Sequence, residues 1–143
     1  MKIVLDTNVL VSSLLSPFGG PSQILQLISL GKLTLLLDQR IFQEYKDVLA
    51  RKQFHFPAEL RNRILERISE KALWITPEPV SLHLPDPEDR KFIEAAISGK
   101  ADALVTGNKK HFPVSQIGSI RIFLPSEFLE HMTGQNYFKI SSS

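Results

Sequence analysis

The chain has 143 residues, 43% hydrophobic and 22% charged, which is the composition of one globular domain rather than of a disordered chain. Its 17 basic and 15 acidic residues leave a net charge of +2, too small an excess to argue for a nucleic-acid partner by itself. Cysteine is absent, which excludes disulfides, zinc–thiolate sites and a cysteine nucleophile, and no apolar run approaches the roughly 20 residues that span a bilayer.

The opening Met1-Lys2-Ile3-Val4-Leu5-Asp6 puts an acid where the apolar core of a signal peptide would lie, so a cytoplasmic protein is expected. Five short apolar runs read as strands: 3–5, 33–37, 73–75, 103–105 and 120–123. The first four are nearly continuous in apolar character, as in strands covered by helices on both faces. Between them the spacing predicts helices: a short one over 9–15, one over 22–30 closed by Gly31, one opened by Asp38, one after Pro57, one over 87–98 closed by Gly99, and one from Ser126. The charged stretch from Glu59 to Lys71 reads as a solvated helix face laced with ion pairs. Alternating strands and helices predict a three-layer α/β/α domain with a central, mostly parallel sheet of about five strands. It is expected to occupy residues 1–132, with 133–143 as a C-terminal tail that shows no usable periodicity.

In such open sheets ligands bind beyond the carboxyl ends of the strands, which directs attention to the acids there. Asp6 directly follows the first strand. It could cap the next helix, but Thr7 and Asn8 can also do so, and a carboxylate leaving a buried strand is costly unless paired or metal-bound. Glu44 lies on the flank of an apolar helix stripe and reads equally as a surface acid or as a ligand. Asp86 suits a helix N-cap as well as a site. Asp89 lies on the apolar side of the next helix, while Glu94 falls on the opposite face and is expected to be exposed. Thr106 and Asn108, ending the fourth strand, are expected beside Asp6. Lys109 and Lys110 are candidate phosphate contacts, and His111 reads as a surface residue.

Carboxylates gathered in one place repel one another unless a cation neutralises them. An oxygen-donor set without cysteine or a histidine pair favours Mg²⁺ or Mn²⁺ over zinc, and such a site suits phosphodiester hydrolysis. No GxxxxGK phosphate loop is present, which argues against an NTPase.

Four pieces together resemble the PIN-domain family of metal-dependent ribonucleases. They are Val4-Leu5-Asp6-Thr7-Asn8-Val9-Leu10, Ile41-Phe42-Gln43-Glu44-Tyr45, Asp86-Pro87-Glu88-Asp89 entering Phe92-Ile93-Glu94-Ala95-Ala96, and Asp102-Ala103-Leu104-Val105-Thr106-Gly107-Asn108. The resemblance implies that Asp6, Glu44 and Asp89 are catalytic, metal-binding acids, with Asp86 an additional ligand. Thr7, Asn8, Thr106 and Asn108 would orient them. It further implies single-stranded or structured RNA as substrate, dimerisation and, for a toxin member of the family, a small antitoxin partner. The family often carries a fourth acid where this chain has Asn108. A PIN-like module that binds RNA or protein without cutting is the alternative. A phosphotransfer domain ranks third, because Asn8 stands where haloacid-dehalogenase-like phosphatases need a second aspartate.

Overall fold

The computed structural model describes residues 1–80, 87–109, 112 and 115–134. Asp86, Lys110, His111 and the tail from residue 135 onward, all considered above, lie outside the described residues. The chain runs β1 (Lys2–Leu5), α1 (Thr7–Leu15), α2 (Gly20–Ser29), β2 (Thr34–Leu37), α3 (Gln39–Leu49), α4 (Ala58–Lys71), β3 (Leu73–Trp74), α5 (Arg90–Ser98), β4 (Ala103–Val105), β5 (Gln116–Ile117), β6 (Ile120–Phe123) and α6 (Pro125–Gly134). Short 3₁₀ turns at Lys52–Phe54 and Pro87–Asp89 precede α4 and α5.

The sheet has the order β3-β2-β1-β4-β6-β5. All neighbours are parallel except the β5/β6 hairpin. The three-layer α/β reading therefore holds, with one strand more than expected. That strand, β5, is two residues long and turns through Gly118 at φ 58°, too short a segment to show periodicity. The central strands are apolar throughout because both faces are covered: Ile3, Val4, Leu5, Leu35, Leu36 and Leu37 have no solvent exposure. The edge strand β3 departs from that expectation. It has one neighbour, and Leu73 and Trp74 remain exposed. Trp74 lies edge-on to Phe42, at 5.3 Å between ring centroids, and its indole N–H donates to the Ser69 carbonyl.

Local signals explain the helix ends. Asp38 accepts the Ile41 amide at 3.0 Å and caps α3. Gly31, at φ 78°, closes α2 while the Lys32 amide returns to the Leu27 carbonyl at 2.9 Å. Among the described residues no helix is long and apolar enough to cross a membrane.

Order reverses around β1: the chain steps outward through β2 and β3, then crosses to β4 on the other side. The crevice above the carboxyl ends of β1 and β4 is thus the switch point at which open α/β sheets bind ligands.

Candidate active site

The register of β1 and β4, with Ile3 opposite Ala103 and Leu5 opposite Val105, delivers Asp6 and Thr106 side by side as the two strands end. The Asp6 amide donates to the Val105 carbonyl at 2.9 Å, and the Thr106 amide to the Phe123 carbonyl at 2.9 Å. The Thr106 hydroxyl then donates to Asp6 Oδ2 at 2.7 Å and accepts the Asn108 amide at 3.1 Å. One small hydroxyl therefore sets the orientation of a carboxylate that is only 6% exposed. Asp6 occupies the N-cap position of α1 but makes no side-chain capping bond, so its carboxylate is directed elsewhere.

Asn8 Oδ1 accepts the Gly107 amide at 3.1 Å, and a Cβ on Gly107 would come within 3.1 Å of the same oxygen. Glycine is what lets the β4 loop approach α1 this closely. Thr7 donates its hydroxyl to Glu44 Oε2. Tyr45, the residue after Glu44, is fully buried and donates its phenol to the Leu5 carbonyl at 2.5 Å. This bond ties α3 to the last residue of β1. Burial, together with the charges of Asp6, Glu44 and Asp38, raises the Tyr45 phenol well above its usual range.

Asp89 ends the 3₁₀ turn before α5 and is 7% exposed. With Asp6, Glu44 and Glu88 it lines one open groove of about 580 Å³, which continues past Val48 to Arg51 and Phe54. A volume of this size lies within the usual range of ligand sites, about 300–1,000 Å³. Carboxylate and amide oxygens, with no thiol or imidazole on the wall, suit a hard divalent cation. Even so, among the described residues no group of three or more acidic or histidine side chains is placed to hold a metal ion as it stands.

The expected gathering of acids is therefore corrected in one respect. Asp6, Glu44 and Asp89 reach the same groove, but Glu44 is turned toward a lysine. Lys91 Nζ lies 2.7 Å from Glu44 Oε1, 3.6 Å from the Glu88 carboxylate and 2.7 Å from the Glu88 carbonyl. It is 12% exposed and packs 5.2 Å from the Phe92 ring centroid. Sequence reasoning missed Lys91. A signal for it exists: Arg90 and Lys91 open α5 with two cations where the helix dipole favours anions. Each answers a specific partner, since Arg90 donates to the Val80 carbonyl at 2.6 Å.

Glu94 corrects a second expectation. It is 4% exposed rather than solvated, accepting Arg40 at 2.7 Å and the Val80 amide at 3.1 Å. Burial opposes its charge, but the bonds from Arg40 and Val80 and the charges of Arg40 and Arg90 prevail, leaving its carboxyl below the usual range. Lys109 is not brought to the acidic groove. It pairs with Glu127 at 3.1 Å and lines a different hollow, with Arg121 and His131.

Comparison with known proteins agrees with this fold. A family model described as a PIN domain matches residues 2–110. A protein of Methanocaldococcus jannaschii named "Uncharacterized protein MJ1680" is 30% identical over 142 residues, covering 91% of this chain and 90% of its own length. PIN domains are generally nucleases that use divalent metals. On the family match and the fold together, the chain belongs to the PIN-domain family.

Proposed function

We propose that the chain is a metal-dependent endoribonuclease that hydrolyses RNA phosphodiester bonds, and that it acts as the toxin of a toxin–antitoxin pair. The observation carrying the enzymatic part is that Asp6, Glu44 and Asp89 line one open groove at the sheet's switch point. Asp6, Asp89 and a re-aimed Glu44 would hold Mg²⁺ or Mn²⁺, with Asn8 and Asn108 nearby as neutral oxygen donors. A divalent ion so held supplies the Lewis acidity that polarises a phosphate and activates water. The chain's own contribution is orientation. Thr106 fixes one Asp6 oxygen and Tyr45 fixes α3 against β1, while Thr7 and Lys91 hold Glu44 in the position from which an ion would re-aim it. The toxin role, the antitoxin partner and a homodimer rest on the family resemblance. Finding a short neighbouring reading frame that encodes a DNA-binding N-terminus would support the first two, and sedimentation of the purified chain tests the third.

A specific observation also favours a second reading, a PIN-like module that binds without cutting. Glu44 is already satisfied by Thr7 and Lys91, and Asn108 removes one charge from the family's usual set.

One experiment separates the two readings: incubation of labelled RNAs with the unsubstituted chain and with Asp6→Asn, in Mn²⁺, Mg²⁺ or EDTA. Asn keeps an acceptor for Thr106 while losing the charge, so a loss of cutting of about 100-fold or more, with the melting temperature retained, supports the nuclease. Equal cutting by both proteins removes Asp6 from the mechanism. A folded, RNA-binding chain that cuts under none of these conditions favours the binding module.

A further inference from the structure

The acidic groove does not end at the carboxylates. Glu44, Val48 and Arg51 follow one another at intervals of four and three residues along α3 and just past its end, so they share one wall. From Glu44 to Arg51 the wall extends about 10 Å at the helical rise. Phe54, the last residue of the adjoining 3₁₀ turn, closes this end.

The local backbone fixes both residues. The Arg51 amide donates to the Val48 carbonyl at 3.1 Å, and the Phe54 amide to the Arg51 carbonyl at 3.2 Å. His55 then takes a left-handed conformation, at φ 56°, that ends the turn. The Phe54 ring stacks with Phe56 at 5.6 Å between centroids and 17° between planes, so its plane is set before any ligand arrives.

Charge makes the same point. Among the described residues that line the groove Arg51 is the one cation, and the nearby Lys91 on α5 is engaged by Glu44 and Glu88. Among the described residues the Arg51 guanidinium has no hydrogen-bond or ion-pair partner. A groove of carboxylates repels a polyanion, whereas an uncommitted guanidinium attracts phosphate and offers a bidentate fork. A fixed aromatic ring beside such a cation is the arrangement on which unpaired bases stack.

We infer that Arg51 and Phe54 form a nucleotide subsite that takes an unpaired nucleotide of single-stranded RNA next to the bond being cut. Arg51 holds the phosphate and Phe54 carries the base. This inference rests on the nuclease reading and assigns two residues of this chain to holding its substrate. A duplex is excluded by the same geometry, because its bases are already stacked and paired and present no free face to Phe54.

The test uses the full chain carrying Asp6→Asn, so that bound RNA survives, and follows the fluorescence anisotropy of a labelled single-stranded RNA of mixed sequence. The same RNA annealed to its complement is the comparison. Arg51→Ala is expected to weaken single-strand binding about tenfold and to lower the slope against log salt concentration by about one. Phe54→Leu is expected to weaken it about tenfold with an unchanged slope. Thermal melts confirm that each variant folds. Should Phe54→Leu fail to fold, Phe54→Trp replaces it and must bind at least as tightly as the parent. The duplex is expected to bind at least tenfold more weakly than the single strand. Unchanged binding in both variants, or a duplex bound as tightly as the single strand, overturns the subsite. If the unsubstituted chain cuts RNA while these variants bind like their parent, the subsite falls and the nuclease stands. If the chain neither binds nor cuts RNA, the nuclease reading falls and takes the subsite with it.

Discussion

Lys91 places its ammonium 2.7 Å from Oε1 of Glu44, so the acidic groove carries its own monovalent cation. The arrangement relieves repulsion among Glu44, Glu88 and the nearby Asp6 and Asp89, and it also keeps Glu44 away from any incoming ion. The two roles predict opposite effects of one substitution. In Lys91→Met the chain length and packing on Phe92 are kept and the charge is lost. In EDTA the melting temperature is expected to fall by several degrees, corresponding to about 1–3 kcal/mol for a partly buried pair. Mn²⁺ affinity, read by calorimetric titration, is expected to rise severalfold because Glu44 is released. A variant that is unaltered in both measurements would show the ion pair to be incidental.

Thr106 is the second point at which small chemistry controls the site. Its hydroxyl both donates to Asp6 and accepts from the Asn108 amide. Thr106→Val keeps the shape and removes one bond from each partner, which is expected to cost about 1–3 kcal/mol in a denaturant melt and to lower RNA cleavage. Thr106→Ser restores the hydroxyl and is expected to recover cleavage more fully than stability, since it loses a buried methyl group. Equal cleavage by the Val and Ser variants would contradict the orienting role.

The acid limb of stability has an identifiable contributor in Glu94. Its carboxyl is held below the usual range in the folded chain, so the folded state binds that proton less readily than the unfolded state does. The stabilisation is therefore present above the unfolded value of about 4.3 and is lost as pH falls through the folded one. Glu94→Gln is expected to flatten the decline in melting temperature below about pH 4.3 and to lower stability at neutral pH, where Arg40 loses an ionic partner. A variant with the same acid limb as the parent would assign that decline to other carboxylates.

What the sequence made legible, and what it did not, follows from the range of the interactions involved. The sheet and the position of Asp6 could be read because a continuous apolar strand that ends in an acid is a local pattern, and so is the cap at Asp38. The pairing of Asp6 with Thr106 followed once β1 and β4 were neighbours, which the switch-point rule anticipates. Glu94 was misjudged because helical periodicity identifies the face toward the sheet but not a second helix on the other side. Arg40 comes from 54 residues away in sequence. Lys91 escaped notice for a related reason. The residue types beside Asp89 could be read, but the turn of Glu44 toward α5 depends on how α3 and α5 pack. Arg51 and Phe54 lie past the end of an unremarkable helix, and only the continuous groove connects them to the acids.

Asn108 offers the last prediction, at a position where the family resemblance implies an acid. Its backbone amide already bonds to the Thr106 hydroxyl, which in turn bonds to Asp6, and a carboxylate introduced at this position is expected to enter beside Asp6. Without metal the added charge is repulsive, and Asn108→Asp is expected to melt at a lower temperature in EDTA. With Mn²⁺ the same charge becomes a ligand, so affinity and RNA cleavage are both expected to rise, each by about tenfold if the carboxylate adds about 1.4 kcal/mol of binding or transition-state stabilisation. Because stability without metal and affinity for it move in opposite directions, general damage to the fold cannot imitate the result. Unchanged Mn²⁺ affinity alongside a lower melting temperature would place position 108 outside the ion's reach, and the reduced acid set would then have to suffice for whatever the groove does.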